Sequence, residues 1–422
     1  MEIELAYGRE TRKVRVEDKA LIVRMPPVPP LNEPALSLLE GLNQPIGSPP
    51  LKDCLKKGRV VVVTSDKTRL VRYPIFLPSL LDYLNKEGVR DSDISLVIGR
   101  GNHGGHSPDE IRVLFGEDVF GRVEIMEHDC HDRAHLVEVG KTRYGNPVLL
   151  NQRAVEAENV ILTGAIKFHP YSGFSGGRKA VLPGISGFET LQRNHKIALS
   201  SSRCGLGVLD GNPVHEEMLD AARLLDPCFL INVVCNESGQ IARLFVGHWQ
   251  KAHEEGCGFV REVFCPEVEG QADLVIASAS GYPDDINLYQ SLKAVDNISP
   301  VVRDGGVMML LAECRDGFGP EELLEWFDGE DLVETRARLE KEFSIPGYVA
   351  LCLKKTAERI RIVLVSSLAH ASVRRAAMIP ASTPDEGLQE ARKYLPSRFS
   401  TWIFPQGGSH VPVLKGKSHQ EP

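Results

Sequence analysis

One stretch of the chain, Gly164 to His195, contains most of the side chains that could do chemistry. It reads GAIKFHPYSGFSGGRKAVLPGISGFETLQRNH. His169 and His195 carry imidazole rings, which transfer protons and bind metals. Lys179 could act as a nucleophile. It follows a segment rich in glycine and serine, whose backbone N–H groups could turn toward an anion. The stretch therefore predicts a ligand site.

The position of this stretch supports the same prediction. It begins at the end of ENVILTGA (158–165), which has the pattern of a buried strand, and ligands of open α/β sheets bind beyond such strand ends. The stretch matches neither the P-loop nor the dinucleotide fingerprint. A solvated turn is the alternative interpretation. The residues expected to bind the anion are Ser172, Gly173, Ser175, Gly176, Gly177 and the cationic Arg178.

Polar side chains also follow two other predicted strands. Asp66 and Arg69 come after GRVVVVTSD, and His103 and His106 come after DISLVIGRG. These residues suit the rim of an active site. Asp66 and Arg69 could equally form a plain helix N-cap pair, and one of the two histidines could be a solvated loop residue.

Two further groups lie elsewhere in the chain. Gln290 and Lys293 are three residues apart on a predicted helix, so they share a face with which a carboxylate could bind; an ordinary exposed helix start is the alternative. A histidine-rich turn has the spacing of no zinc motif, and we interpret it as a polar turn rather than a metal site. Its members are His128, Asp129, Cys130, His131, Asp132 and His135.

Strands and helices alternate along the whole chain, which predicts an α/β fold with mostly parallel sheets. We expect two domains, residues 1–268 and 269–398, with an active-site cleft between them. The tail 399–422 could return to the first domain, and residues 416–422 are expected to fray. The predicted strands are 58–66, 93–101, 121–129, 158–165, 228–236, 272–281, 301–313 and 358–368.

Composition limits the class of protein. The chain has 422 residues and a formal net charge of −8, which argues against nucleic acid as a partner. It has no apolar run long enough for a membrane span and no apolar signal core at its start, so we expect a cytoplasmic protein. The nine cysteines include no CxxC pair and are typical of reduced thiols.

Six motifs, in this order, resemble those of the nickel-dependent lactate racemase family. They are SDKTR (65–69), GNHGGHSPDE (101–110), HPYSGFSGGRKAVLPGI (169–185), NH (194–195), LDGNPV (209–214) and YQSLK (289–293). The resemblance extends over almost the whole chain. The glycine-rich motif with its histidine and lysine is the most specific of the six.

The resemblance implies a cofactor, a nickel pincer nucleotide, which is a pyridinium mononucleotide whose two sulfur arms and ring carbon hold nickel. By the resemblance, Lys179 tethers this cofactor and His195 is the protein ligand of nickel. Ser172 to Gly177 would bind its phosphate, with Arg178 and Asp66 counted among the cofactor-binding residues. Cofactor-maturation proteins are the implied partners. The oligomeric state stays open.

The same resemblance makes His103 and His169 the two acid/base groups, one for each face of a 2-hydroxy acid. Arg69, Tyr289, Gln290 and Lys293 would bind the substrate around its carboxylate. Racemisation needs proton exchange on both faces, hence two bases. The C2–H bond is too weakly acidic for simple deprotonation, so a cofactor that accepts hydride avoids a carbanion.

Some residues depart from the family pattern. Lys67 stands where histidine is usual, Gly104 and Gly105 replace larger side chains, and Gly347-Tyr348 lies where a tryptophan is expected. We therefore expect a substrate larger or more polar than lactate. Two other classes stay open: a hydrolase or lyase with a divalent metal at His103, His169 and His195, and a non-catalytic protein that binds the cofactor.

Overall fold

The computed structural model describes residues 1–16, 19–329 and 331–416. The chain divides into two compact units. One is continuous, Pro27–Glu262, and is called the 27–262 unit below. The other combines Met1–Pro26 with the residues from Val263 onward, and is called the composite unit. In the part of the chain that the structure describes, no helix is both long and apolar enough to cross a membrane.

The strands are β1 (Glu2–Tyr7), β2 (Glu10–Arg15), β3 (Leu21–Ile22), β4 (Val60–Ser65), β5 (Ile94–Gly99), β6 (Glu124–Glu127), β7 (Leu136–Lys141), β8 (Pro147–Asn151), β9 (Asn159–Ala165), β10 (Phe168–His169), β11 (Gly173–Phe174), β12 (Phe229–Cys235), β13 (Ile241–Gly247), β14 (Glu267–Val268), β15 (Ala272–Ser278), β16 (Val302–Leu311), β17 (Arg361–Val365), β18 (Ile379–Ala381), β19 (Thr401–Phe404) and β20 (Val413–Leu414). The α-helices are α1 (Pro34–Asn43), α2 (Leu51–Cys54), α3 (Tyr73–Lys86), α4 (Pro108–Phe115), α5 (Gln152–Val155), α6 (Phe188–Lys196), α7 (Pro213–Leu225), α8 (Lys251–Phe264), α9 (Leu288–Ile298), α10 (Leu332–Lys341), α11 (Ile345–Arg359), α12 (His370–Arg375) and α13 (Pro384–Arg392).

The 27–262 unit is built on a six-stranded sheet in the order β13-β12-β9-β4-β5-β6. All neighbouring pairs are parallel except β12 with β13. Strand β4 is buried from Val60 to Thr64, as expected for a parallel strand covered on both faces. The antiparallel strand β13, which was not among the predicted strands, ends at Gly247, and helix α8 begins at Lys251.

The composite unit has a second six-stranded sheet, entirely parallel, in the order β18-β17-β16-β15-β19-β3. The predicted α/β fold with mostly parallel sheets is therefore confirmed. Strands β1 and β2 form a hairpin that turns after Tyr7. Its apolar side chains, Ile3, Leu5, Tyr7 and Val14, pack against β15 and β16.

The domain ranges differ from those expected at both ends of the chain. Residues 1–26 belong to the composite unit, not the first domain, because β3 pairs with β19 and the hairpin fills one face of that sheet. The tail also lies in the composite unit, where β19 pairs with β15 and β20 pairs with β14. Fraying was expected for residues 416–422, of which 417–422 lie outside the described residues.

Candidate functional site

The sheet order of the 27–262 unit brings three of the predicted site segments to one edge. Asp66 directly follows β4, His103 lies in the loop after β5, and His169 ends β10, shortly after β9. Strands β9, β4 and β5 are consecutive neighbours in the sheet and parallel. Their carboxyl ends therefore meet at one edge, the usual location of ligand sites in such sheets.

A buried carboxylate, Asp66, pairs with the exposed imidazole of His103. Oδ2 of Asp66 lies 2.5 Å from Nδ1 of His103, and Oδ1 accepts hydrogen bonds from Thr68 N at 2.8 Å and Thr68 Oγ1 at 2.5 Å. Burial alone would raise the pKa of Asp66, but the hydrogen bond and charge of His103, with Arg69 and Thr68, hold that pKa below its usual range. Among the described residues, no group hydrogen-bonds Nε2 of His103, whose side chain is 48% exposed. Asp66 thus positions His103 with one ring nitrogen available to a ligand.

Arg69 lies beside this pair. Its Nη1 donates to Thr68 Oγ1 at 2.9 Å, and its backbone N–H donates to the carbonyl oxygen of Asp66 at 3.1 Å. The guanidinium group is thereby held next to the carboxylate that positions His103. Its predicted role in binding the substrate stays a prediction.

His106 connects three strand ends. Its Nδ1 lies 2.5 Å from Oε1 of Glu127, and its Nε2 accepts the backbone N–H of Lys67 at 3.0 Å. The Lys67 ammonium group in turn donates to Glu110 at 2.5 Å. The His106 side chain is fully buried, so it ties the loops after β4 and β5 to β6 rather than lying in solvent.

A second cluster gathers around Lys179. Its Nζ lies 3.0 Å from Nε2 of His169, 3.3 Å from the hydroxyl of Ser172 and 5.6 Å from the centre of the Tyr171 ring. The Tyr171 ring also contacts the rings of His169, at 4.4 Å, and His195, at 5.1 Å. Tyr171, which the sequence analysis did not single out, therefore packs between both histidines and the lysine. Its place inside the motif HPYSG was the available signal.

The His195 ring has the form that a metal ligand requires. Its Nδ1 lies 2.9 Å from the carbonyl oxygen of Leu191, one turn earlier on α6. No described residue hydrogen-bonds its Nε2. Burial first, and then the charges of Lys179 and His103, lower the pKa of His195 to about 3, so the ring is neutral at physiological pH. A neutral imidazole that donates one N–H to a carbonyl leaves its other nitrogen for a metal.

The glycines from Gly173 to Gly177 allow close packing. Gly173 has φ +78, and a Cβ there would lie 2.2 Å from the carbonyl oxygen of Val208. A Cβ on Gly177 would lie 2.5 Å from the His253 ring, and one on Gly176 would lie 2.8 Å from Asn232. Only glycine fits at these positions.

Several N–H groups of this segment already have partners inside the protein. Ser172 N donates to Nδ1 of His169 at 3.4 Å, Ser175 N to the Lys167 carbonyl oxygen at 2.9 Å, and Gly177 N to Oδ1 of Asn232 at 2.9 Å. The phosphate-binding role of this loop stays a prediction. The donors named here would have to exchange partners to perform it.

The structure places Arg178 differently from the expectation. Its side chain is fully buried, and the guanidinium group donates to the carbonyl oxygens of Ser172 at 2.6 Å and Phe174 at 2.8 Å. Burial lowers its pKa to about 10. Arg178 therefore holds the glycine-rich loop together from inside and adds no charge to its surface, because its hydrogen bonds to carbonyl groups draw it inward.

Asn212 shows why the motif LDGNPV follows the loop. Its Oδ1 caps α7 by accepting the N–H groups of Val214 at 3.1 Å and His215 at 3.3 Å. Its Nδ2 donates to the carbonyl oxygen of Tyr171 at 2.9 Å. One side chain thus begins a helix and fixes the residue that packs between the two histidines.

The predicted residues of the second group lie on α9, in the composite unit. Nζ of Lys293 donates to Oε1 of Gln290, which confirms that the two side chains share a face. Asn287 caps the helix by accepting the N–H of Gln290 at 2.9 Å. The predicted cleft between the domains, and the contact of Tyr289, Gln290 and Lys293 with substrate, stay predictions.

The histidine-rich turn is dispersed. His128 is buried, and its Nε2 lies 3.0 Å from the Ser186 carbonyl oxygen, whereas His131 contacts Asn102 at 3.1 Å and His135 contacts Asp132 at 2.7 Å. Burial lowers the pKa of His128 to about 4. Among the residues that the structure describes, no three His, Cys, Asp or Glu side chains are grouped closely enough to hold a metal ion. His103, His169 and His195 therefore do not form such a group either.

Comparisons with known proteins agree with this architecture. A family model for the lactate racemase N-terminal domain matches residues 7–207, and one for the C-terminal domain matches residues 268–411. A lactate racemase of Thermoanaerobacterium thermosaccharolyticum is 33% identical over 88% of this chain and 88% of its own. A lactate racemase of Lactiplantibacillus plantarum is 30% identical over 96% and 98%.

Solved structures extend the comparison. The lactate racemase apoprotein from T. thermosaccharolyticum has a TM-score of 0.91 at 31% identity and covers 98% of this chain and 100% of its own. A protein from Thermotoga maritima, with a TM-score of 0.68 and 18% identity, covers 92% and 99% and shares the fold.

The two mostly parallel sheets, with histidine, lysine and carboxyl side chains gathered at the strand ends of one of them, are typical of a two-unit α/β enzyme. With both family models matched in order along it, the chain belongs to the lactate racemase family. It is therefore an isomerase of the racemase type.

Proposed function

We propose that this protein racemises or epimerises a 2-hydroxy acid, with His103 and His169 as the acid/base groups and a nickel pincer nucleotide tethered to Lys179. The observation that carries the proposal is the clustering of Lys179 with His169, Tyr171 and His195, at the strand edge that also holds the Asp66–His103 pair. Inversion at C2 needs a proton acceptor for each enantiomer, which two separately held imidazoles supply.

The residues present fit the cofactor that the family implies. Lys179 could form the covalent tether, because Nε2 of His169 lies 3.0 Å from its Nζ and, with Nδ1 accepting the N–H of Ser172, can donate to an uncharged amine, the form of lysine that attacks. His195 offers an unprotonated Nε2, suited to nickel with sulfur and nitrogen ligands. When bound, the cofactor supplies a reversible acceptor for the hydrogen on C2 of the substrate.

The protein's own groups bind and orient the acid and move its hydroxyl proton. In the proposal, Arg69, Gln290 and Lys293 bind the C1 carboxylate. His103, held by Asp66, accepts the hydroxyl proton of one enantiomer through Nε2, and His169 does so for the other. Each histidine returns a proton in the opposite direction, so a full cycle uses both.

The substrate within this class is the finer part of the proposal. The relatives are named for lactate, and the comparisons give no support to a different acid. Of the departures from the family pattern, Lys67 is engaged with Glu110, so its substitution for histidine does not by itself argue for a larger substrate. Lactate and longer or more oxygenated 2-hydroxy acids should therefore be tested side by side.

The first test replaces each histidine. We expect His103→Gln and His169→Gln to lower racemisation at least about 100-fold, since a positioned acid/base group contributes roughly 10²–10⁴-fold. Single enantiomers are incubated with protein co-expressed with the cofactor-making enzymes, followed by chiral chromatography and deuterium exchange at C2. His135→Gln, whose side chain is 73% exposed, is the matched control.

One outcome separates the proposal from its rivals. A protein that carries the cofactor but converts no 2-hydroxy acid would favour the non-catalytic binding protein. Activity with zinc or manganese in protein lacking the nucleotide would favour the metal hydrolase or lyase.

The second test concerns attachment of the cofactor. We expect Lys179→Ala to abolish a covalent adduct in the mass spectrum of the intact protein, and His195→Ala to keep the adduct but lose most nickel by elemental analysis. The two residues differ because one would form a covalent bond and the other would bind the metal. Lys141→Ala, at an exposed position, is the control. An unchanged adduct in Lys179→Ala would show the assignment to be wrong.

A further inference from the structure

Helix α9 buries one side and leaves the other partly open. Leu288, Leu292, Val295 and Ile298 are buried in the core of the composite unit. Tyr289, Lys293 and Asp296 stand at positions i, i+4 and i+7, which fall on a single helix face, and all three are half-buried. Asp296 therefore continues, one turn further, the face that carries the proposed substrate-binding lysine.

The Asp296 carboxyl group has no hydrogen-bonding partner among the described residues. Burial raises its pKa to about 7, and the charge of Lys293 only partly opposes that effect. Asp285, a buried carboxyl group of the same unit, instead accepts the N–H groups of Gly8 at 2.6 Å and Glu313 at 3.0 Å. A half-buried carboxyl group without such partners costs stability. Such costs are typical of functional positions.

Asp296 also lies where α9 packs against α11. The thiol of Cys352, on α11, has its pKa raised to about 12 by burial first and then by the charge of Asp296, and it hydrogen-bonds Tyr348. The Asp296 carboxyl group is thus close enough to α11 to act on the Cys352 thiol of that helix.

We infer that Asp296 is a specificity-determining residue that hydrogen-bonds a hydroxyl group on C3 of the 2-hydroxy acid. The inference rests on the proposed function, in which Lys293 and Gln290 bind the C1 carboxylate. Asp296 lies three residues beyond Lys293, a rise of about 4.5 Å, which a three-carbon acid with a terminal hydroxyl can span.

The chemistry of the hydroxyl group suits this position. It can donate to an ionised carboxylate or accept from a protonated carboxyl group, so the hydrogen bond exists in both protonation states. The methyl group of lactate would leave Asp296 without a partner. A second carboxylate on the substrate would meet a like charge. A site that hydrogen-bonds a substrate hydroxyl discriminates strongly against the analogue that lacks it.

The test compares 2,3-dihydroxypropanoate (glycerate) with lactate, which differ only by the C3 hydroxyl group. For the cofactor-loaded protein we expect kcat/KM to favour glycerate, and Asp296→Ala to lower the glycerate-to-lactate ratio at least about tenfold. Asp296→Asn, which can still hydrogen-bond, should keep most of the ratio. Asp304→Asn, which changes an exposed carboxyl group of the same unit, is the control. An unchanged ratio in Asp296→Ala would overturn the inference.

Two further measurements keep the result separate from the proposed function. If the cofactor-loaded protein racemises neither acid, the proposed function is contradicted. Isothermal titration calorimetry with glycerate then decides the inference: Asp296→Ala should weaken glycerate binding, and Asp304→Asn should not. Equal binding of glycerate to both variants would overturn the inference.

Thermal unfolding is the second measurement. Asp296→Asn should melt at a higher temperature than the wild type at pH 8, and the difference in melting temperature should shrink toward pH 5. If Asp296→Asn melts no higher than the wild type at pH 8, the half-buried carboxyl group without a hydrogen-bonding partner, on which the inference depends, is contradicted.

Discussion

At the residue scale, the Asp66–His103 pair illustrates how one carboxylate can set the chemistry of an imidazole. With Nδ1–H donating to Asp66, the neutral ring presents an unprotonated Nε2, the form that can accept a proton. The second oxygen of Asp66 is held by Thr68, so the carboxylate itself has little freedom to turn. The pair therefore fixes both the orientation and the tautomer of the proposed base.

Asp66→Asn should separate this positioning role from binding. An amide can donate to Nδ1 and so place the proton on Nε2, where it blocks proton acceptance. We expect kcat to fall by at least about 100-fold with a much smaller change in KM, by analogy with a wrong tautomer in a catalytic triad. Steady-state kinetics on the loaded enzyme measures both. A rise in KM at unchanged kcat would assign Asp66 to binding instead.

The same variant predicts a pH dependence of stability. The folded pKa of Asp66 lies below the unfolded value near 3.9, so its stabilisation is complete above that pH and is lost as pH falls through the folded pKa. Wild type should exceed Asp66→Asn by about 1–3 kcal/mol in free energy of unfolding at pH 7, with the difference narrowing below pH ~4. Urea unfolding at several pH values checks this.

At the scale of elements, the short hairpin of β10 and β11 positions the lysine cluster by close packing. Gly173 pairs with His169 across the hairpin, and Gly207 N donates to the Gly173 carbonyl oxygen at 3.0 Å. The neighbouring chain at Val208 leaves no room for a side chain at Gly173. The packing of this hairpin thus fixes where His169 meets Lys179.

Gly173→Ala and Gly145→Ala form a matched pair that isolates this packing. Their φ angles are +78 and +76, but a Cβ at Gly145 meets nothing within 4 Å. Gly145→Ala should cost about 1–2 kcal/mol, the price of a left-handed backbone. Gly173→Ala should cost clearly more and also disturb His169. Denaturant unfolding measures the difference, and equal losses would contradict close packing as the reason for glycine.

At the scale of the whole molecule, both ends of the chain are built into the same unit. The hairpin of β1 and β2 covers one face of the sheet that the later residues form, and β3 extends its edge. The composite unit therefore depends on residues that are translated long before the rest of it. The 27–262 unit, by contrast, is continuous in sequence.

Leu5→Ala tests this dependence. Leu5 is 1% exposed and packs with residues of β15 and β16, so its truncation should cost about 2–5 kcal/mol. Amide hydrogen exchange should accelerate in β15 and β16, with little change in β4 and β9. Leu21→Ala, at a position 51% exposed in β3, is the control. Equal acceleration in both units would contradict the assignment of the hairpin.

The sequence by itself determined the fold class and most elements. Continuous apolar runs such as GRVVVVTSD predicted buried parallel strands, because both faces of such strands must be covered. Helices α7 and α13 begin as local sequence favours, with Asn212 and Thr383 as N-caps and a proline at the first helical position. The ordered motifs determined the family, which the comparisons confirm, and named Lys179 and His195 before any geometry was known.

Tertiary structure alone decided which groups are charged, buried or free to bind. Arg178 belongs to a motif that suggested a surface cation, yet its guanidinium group is buried against the carbonyl oxygens of Ser172 and Phe174 and the ring of His253, which lies 75 residues further along the chain. Residues 1–26 belong to the composite unit because β3 pairs with β19, and these two strands are far apart in the chain. Asp296 belongs to no motif, and only the packing of α9 shows that its carboxyl group is half-buried without a hydrogen-bonding partner. Burial and long-range pairing are properties of the folded chain, so no local pattern could specify them.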